Sequence, residues 1–224
     1  MFAKAPVTRS VKTRLVPALT PEQAVRVHVA ALRDTVARAE AAIREAAVEV
    51  WAGGAGADAV ERVAALVPGR TVRRQAEGDL GARLVDAFSA AFEEGDDRVA
   101  VLGSDHPTLP AAHLAEAFDA LKAADVALGP SDDGGYYALA LRRECWPDAR
   151  ELFDSIPWST SHVLETTRER ARRAQLSVAE LPAWYDVDDA HDLRRALRDA
   201  EPESALARLF DEPDFAALRA ARAR

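Results

Sequence analysis

The sequence predicts an α/β protein: a single Rossmann-like domain with a mainly parallel mixed sheet and helices on both faces. Three observations predict it. Short apolar runs alternate with amphipathic helical segments along the chain, as in a parallel sheet wrapped by its crossover helices. Two of those runs, in VLGSDHPTL (101–109) and VALGPSDDGGYYAL (126–139), end in acids and glycines. Strands of α/β enzymes present chemistry this way at their carboxyl ends. Finally, 224 residues at 49% hydrophobic suffice for one sizeable core.

Each element follows from local chemistry. Phe2 to Ala5 reads as the end of a strand. Thr20-Pro21-Glu22-Gln23 starts a helix, with a Thr cap, Pro at the first helical position and Gln three residues after the cap. Val25, Val29, Leu32, Val36, Ala39 and Ile43 then recur at spacings of four and three, one buried stripe. Val48 to Trp51 is a strand closed by Gly53-Gly54, followed by a short helix around 57–66 and a weak strand at Thr71 to Arg74. Leu80, Leu84, Phe88 and Ala91 mark a helix ending near Gly95. Arg98 to Leu102 is a buried strand, and Pro110 starts a helix that turns Leu114, Phe118 and Leu121 inward.

Strands at Asp125 to Leu128 and Tyr136 to Leu141 lie about seven residues apart. That is too short for a parallel crossover, so one of them runs antiparallel or turns away. Helices are expected at 148–154 and 160–173, a strand at Gln175 to Glu180, and a helix from about 189. An amphipathic helical tail begins near Pro202, with Leu206, Phe210, Phe215 and Leu218 on its apolar side, packing on its own domain. No linker or repeat interrupts the chain, so residues 1–224 read as one domain.

Composition narrows the function. A net charge of −8 argues against nucleic acid as a partner. Cys145 is alone, which excludes an intrachain disulfide and a Cys-based zinc site. No apolar run is long enough to span a membrane. The N-terminus lacks the apolar core of a signal peptide, so a cytoplasmic location is expected.

Six motifs carry candidate chemistry. KAPVTRSVKTRL (4–15) brings Lys4, Arg9, Lys12 and Arg14 ahead of the first acid, Glu22. Such a loop after a first strand is a polyphosphate clamp or a solvated basic loop. It is neither a P-loop nor a dinucleotide fingerprint. Asp105, in Gly103-Ser104-Asp105-His106-Pro107, stands just past a buried strand, where a carboxylate ligates a divalent cation or caps the next helix. Asp133, Gly134, Gly135 and Tyr136 form a turn that either admits a substrate closely or simply joins two strands. Asp186 and Asp188 alternate onto one side of an extended segment, a metal or substrate site unless they cap a helix. Gln75 and Asp79, in QAEGDLG, open a helix whose amides meet a nucleotide or are capped by Asp79. Trp158, in PWST, lines an acceptor or packs.

Taken in order, KAPVTRSVKTRL, QAEGDLGARL, VLGSDHPTLP, LGPSDDGGYYAL, LFDSIPWST and DVDDAHDL resemble a bacterial family of the nucleotide-diphospho-sugar (GT-A) transferase superfamily. Its members are often encoded near radical-SAM enzymes and assigned to glycosyl transfer of the arsenosugar type. KTRL, the Asp-Pro loop and Gly-Gly are more distantly similar to phospholactate and molybdenum-cofactor guanylyltransferases. The resemblance implies a GT-A fold, with Lys4, Lys12 and Arg14 on phosphate and Asp105 on Mg²⁺ or Mn²⁺. Asp186 or Asp188 would be a second ligand. Two departures stand out. The family has Pro-Gly-Arg where this chain has Thr8-Arg9-Ser10, although Arg9 keeps a cation nearby. Relatives also carry more apolar residues before Lys4, so a shortened first strand is expected here, through a misassigned start or truncation.

The sequence therefore predicts a metal-dependent glycosyltransferase. It would use a nucleotide-sugar donor and a small-molecule acceptor, with Asp105 and Lys12 at the chemistry. The alternatives are nucleotidyl transfer from a nucleoside triphosphate with release of pyrophosphate, and a non-catalytic nucleotide-binding accessory protein.

Overall fold

A computed structural model of the protein describes residues 1–43, 46–54 and 56–216. In chain order the strands are β1 (Phe2–Lys4), β2 (Val50–Gly53), β3 (Val72–Arg74), β4 (Arg98–Leu102), β5 (Val126–Pro130), β6 (Tyr136–Arg142) and β7 (Val178–Glu180). The helices are α1 (Pro21–Ala42), α2 (Ala59–Ala64), α3 (Leu80–Glu93), α4 (Ala111–Ala120), α5 (Trp146–Ala149), α6 (Val163–Arg173), α7 (Ala190–Asp199) and α8 (Ala205–Phe210). Packing divides the chain into two compact units. The first comprises Met1–Phe2, Arg74–Gly103 and Ala111–Tyr185; the second comprises Ala3–Arg73, Ser104–Pro110 and the chain from Asp186 onward.

The first unit holds a four-stranded mixed sheet in the order β4-β6-β5-β7. β6 runs antiparallel to both neighbours, pairing Ala100 with Ala140 and Ala127 with Ala140, while β5 and β7 are parallel. The short 131–135 connection forces the β5–β6 pairing to be antiparallel, one of the two outcomes the sequence allows. Alternation sorts the side chains between two faces. Val101, Val126, Leu128, Leu139 and Leu141 join Leu84, Phe88 and Phe92 of α3 and Trp146, Leu152 and Phe153 in one core. Phe88 lies 5.6 Å from Trp146 and 5.8 Å from Phe153, ring centre to ring centre. Burial of each such side chain contributes about 1.5–3 kcal/mol. The opposite face is small: Ala127, Ala138 and Ala140 are fully buried there. Those alanines let α4 lie close to β4, β5 and β6 through Leu114 and Ala117.

The second unit holds the sheet β1-β2-β3 and α1, α7 and α8. The reciprocal Thr20–Gln23 capping box starts α1 as expected. Leu32, Val36 and Ala39 are buried, whereas Val25 and Val29 are only half-buried. The buried surface of α1 is broader than one stripe and also takes in His28, Asp34 and Thr35. Asp34 explains part of this. Its carboxylate accepts from the amides of Ala205 (2.6 Å) and Leu206 (2.9 Å), fastening the start of α8 to α1.

Two helical expectations change in detail. The helix expected at 148–154 is the four-residue α5 followed by a 3₁₀ turn, Arg150–Phe153. The tail is not one helix: α8 ends at Phe210, and Pro213 opens a separate 3₁₀ turn through Phe215. Leu218 lies outside the described residues. Among the described residues, no helix is long and apolar enough to cross a membrane.

Candidate functional site

The second unit gathers four charged side chains from three distant stretches of sequence. Lys12 comes from the loop after β1. Val11 and Leu15 are buried and anchor that loop. Between them Lys12 adopts a left-handed backbone (φ 49°), and Arg9 does the same at φ 64°. Non-glycine residues adopt this conformation only when their surroundings over-determine it, and such residues cluster at functional sites. The turn carries the Lys12 side chain inward, where only 4% of it is exposed. Its Nζ lies 2.8 Å from Asp105 Oδ1 and donates to Asp188 Oδ1 at 3.2 Å. Arg14 stays outside, 76% exposed, with a guanidinium nitrogen 3.8 Å from Asp188 Oδ2. Lys4 and Arg9 are also exposed.

Asp105 is held by its backbone. In the Ser104–Pro110 stretch, the Ser104 carbonyl accepts from Thr35 Oγ1 (3.3 Å) and the Pro107 carbonyl from Arg38 Nε (2.6 Å). The Asp105 carbonyl accepts from the Val187 amide at 3.0 Å. Val187 is fully buried, so Asp186 and Asp188 flank it from the partly exposed side. Asp188 is steadied by its own amide, which donates to Asp192 Oδ2 at 3.1 Å.

Electrostatics binds the cluster. Burial alone would lower the Lys12 pKa, but Asp105 and Asp188 outweigh it and hold the ammonium above its ordinary value. Burial alone would likewise raise the Asp105 pKa, yet Lys12 and His28 keep its carboxyl well below the usual range. His28, in the buried stripe of α1, is 2% exposed. Its Nε2 lies 2.9 Å from the Lys4 carbonyl and its Nδ1 3.9 Å from Asp105 Oδ1. A carbonyl only accepts, so Nε2 carries the proton there. Sequence reasoning missed His28. The available signal was a histidine and Thr35 sharing the stripe Ala24, Ala31 and Ala39.

The donor set suits a hard cation. Asp105 and Asp188 supply carboxylate oxygens only, which fits Mg²⁺ or Mn²⁺ held by one or two carboxylates and substrate phosphate. Asp105 Oδ1 is buried and makes no well-aligned hydrogen bond. Among the described residues, the group that brings three ligand atoms within 4.8 Å is Asp189, His191 and Asp192, which contains none of Asp105, Asp186 and Asp188. Those acids are engaged in capping α7: Asp189 accepts from the His191 and Asp192 amides, and Asp192 from those of Asp188 and Asp189.

The remaining predicted residues lie in the first unit. Asp79 caps α3, accepting from the Ala82 amide at 2.9 Å, and Gln75 Oε1 accepts from Arg83 at 3.3 Å. Trp158 meets the same helix start. A Cβ at Gly81 would lie 2.8 Å from the Phe153 carbonyl oxygen and 3.2 Å from Trp158 Nε1, so the glycine is required by packing. Asp133 accepts from the Gly135 amide at 2.9 Å. Gly134, at φ 88°, abuts the Ser161 backbone so closely that a Cβ would overlap its carbonyl. Tyr136 packs against the apolar core, and burial pushes its phenol up.

Comparison with known proteins places this geometry in context. A family model described as "Uncharacterized protein conserved in bacteria (DUF2064)" matches residues 35–160. No curated protein matches the chain. Among solved structures, the chain is similar to a "putative nucleotide-diphospho-sugar transferase" from Desulfovibrio desulfuricans G20. That match has 33% identity and a TM-score of 0.84, covering 99% of this chain and 93% of that one. The fold is shared with CMP:2-keto-3-deoxy-manno-octonic acid synthetase complexed with CTP, at 13% identity and TM-score 0.58, covering 87% of this chain and 94% of that one. It is also shared with a cytidylyltransferase from Leptospira borgpetersenii serovar Hardjo-bovis, at 13% identity and TM-score 0.58, covering 94% and 90%.

Proposed function

The chain belongs to the DUF2064 family, and on that premise we propose that it transfers a sugar from a nucleotide-diphospho-sugar donor to a small-molecule acceptor, with Mg²⁺ or Mn²⁺. One observation carries the reading: a buried lysine ammonium shared by two carboxylates, Asp105 and Asp188, at a partly exposed edge. This is a pre-organised array of charge, and such arrays stabilise charge that develops in a transition state.

In glycosyl transfer the bond from the sugar's anomeric carbon to the diphosphate oxygen breaks. A bond from the acceptor oxygen forms, and the acceptor loses a proton. Charge accumulates on the departing diphosphate. Lys12 and Arg14 neutralise that charge, and Lys4 and Arg9 extend the cationic surface toward the donor phosphates. Asp105 and Asp188 would hold the metal, which supplies further neutralisation of the diphosphate when bound. His28 holds the Lys4 carbonyl through Nε2 and lies beside Asp105.

A second reading is nucleotidyl transfer. It is favoured by the exposed cations Lys4, Arg9 and Arg14, since a triphosphate carries more charge than a nucleotide sugar.

A thermal-shift screen tests the binding side. A ligand bound only by the folded protein raises its apparent stability by mass action. With Mg²⁺ or Mn²⁺ present, one of the UDP-, GDP-, CDP- or dTDP-sugars should raise the melting temperature more than its triphosphate does. A larger shift with a triphosphate favours nucleotidyl transfer, and no shift with any of them refutes donor binding.

A further inference from the structure

We propose that Lys12 is the resident counter-cation of the Asp105–Asp188 pair, and that a divalent cation enters only as diphosphate draws the lysine away. The inference rests on the transfer reading above and concerns the order in which that site fills. Lys12 Nζ contacts Oδ1 of both carboxylates, at 2.8 and 3.2 Å. The same two carboxylates would hold a divalent cation. One ammonium and one divalent ion cannot both occupy the space between them, because like charges that close repel strongly in a partly buried site.

The lysine can leave without unfolding its loop. Val11 and Leu15 stay anchored in the apolar interior on either side of it. The flexible four-carbon stem then moves the ammonium alone. A diphosphate offers that ammonium new oxygens, which compensate for the two carboxylates it gives up. Arg14 stands 76% exposed beside Asp188, placed to meet the same anion. The Asp105 carbonyl still accepts from the Val187 amide at 3.0 Å, so the residue keeps its place as the lysine departs. Metal and diphosphate therefore bind cooperatively, each favouring the arrangement the other needs.

Calorimetric titration of the full-length protein with Mn²⁺ alone tests this against the Lys12→Gln variant. The wild type should bind Mn²⁺ weakly, and Lys12→Gln about tenfold more tightly or better, because two carboxylates are left without their cation. Adding Asp105→Asn to that variant should abolish the gain. Equal affinity in wild type and Lys12→Gln overturns the proposal, as does the absence of Mn²⁺ binding in both.

A second measurement needs no variant. In equilibrium dialysis of the wild type at equal free Mn²⁺, inorganic pyrophosphate should raise the protein-bound Mn²⁺ about tenfold over its level without pyrophosphate, the size of a typical coupling between sites. Retention unchanged by pyrophosphate also overturns the proposal. Failure of the transfer reading shows itself differently, as the absence of turnover with every nucleotide sugar, and leaves both Mn²⁺ measurements intact.

Discussion

Lys12→Met should abolish most of the activity, lowering kcat/KM by about 10²–10³-fold, the cost of removing one pre-organised charge donor from a transition state. Methionine keeps much of the apolar stem and deletes the ammonium, so packing around Val11 and Leu15 survives. What is lost is the charge that Asp105 and Asp188 share. Removing one partner of a buried ion pair costs about 3–5 kcal/mol. Here the carboxylates are 38% and 40% exposed, so water relieves part of their repulsion. A loss of about 1–3 kcal/mol is expected after that screening. Lys12→Arg should not restore activity, because a planar guanidinium does not fit where a compact ammonium sits between two oxygens. Steady-state kinetics and urea denaturation of both variants check these outcomes. Full activity in Lys12→Met removes the lysine from the chemistry.

Asp105→Asn should lower turnover by about 10²-fold or more while leaving the fold intact, since it removes the negative charge that holds Lys12 and would hold the metal, and keeps the shape. The Ser104–Pro110 stretch is held by backbone bonds to Thr35, Arg38 and Val187, none of which uses the Asp105 side chain. Acid stability distinguishes the roles. The Asp105 carboxyl is depressed in the folded protein by Lys12 and His28 against the opposing effect of burial. A depressed acid contributes stability above its unfolded pKa of about 3.9 and loses it as pH falls toward the folded value. The wild type should therefore lose stability steadily as pH drops below about 4, and Asp105→Asn should lack that component. Urea midpoints measured across this range provide the test. Parallel curves for the two proteins contradict the ion pair, and unchanged turnover with normal metal dependence removes Asp105 from the site.

Much of this architecture is legible in the sequence because local chemistry decides it. The Thr20–Gln23 box, the strand at 98–102 and the antiparallel turn-back between β5 and β6 follow from caps, burial and connection length. Asp105 and Lys12 were also legible as candidates, one past a buried strand and the other in an acid-free basic segment. Their direct pairing was not, because 93 residues separate them and only tertiary packing brings them together. Lys12 reads as an exposed phosphate clamp; the left-handed turn at φ 49° buries it instead.

His28 was hidden for a related reason. A polar residue on a helix that is buried over a broad surface looks like a break in an apolar stripe until its partners, Lys4 and Asp105, are known. Several glycines and acids turn out to satisfy local backbone demands. Gly81 and Gly134 make room for Phe153 and Ser161, while Asp79, Asp189 and Asp192 cap helices. Sequence spacing alone does not distinguish such roles from ligand contact, since both call for small or acidic residues at the ends of elements.

The most direct test of the central claim is the identity of the phosphate product. Purified protein is incubated with Mg²⁺, the nucleotide sugar selected by thermal shift and a panel of small hydroxyl-bearing acceptors, and phosphate products are resolved by chromatography and phosphorus NMR. Glycosyl transfer predicts stoichiometric nucleoside diphosphate, no pyrophosphate, and loss of both product and glycosylated acceptor in Lys12→Met. Pyrophosphate released from a triphosphate, with the nucleotide appearing on the acceptor, would contradict it.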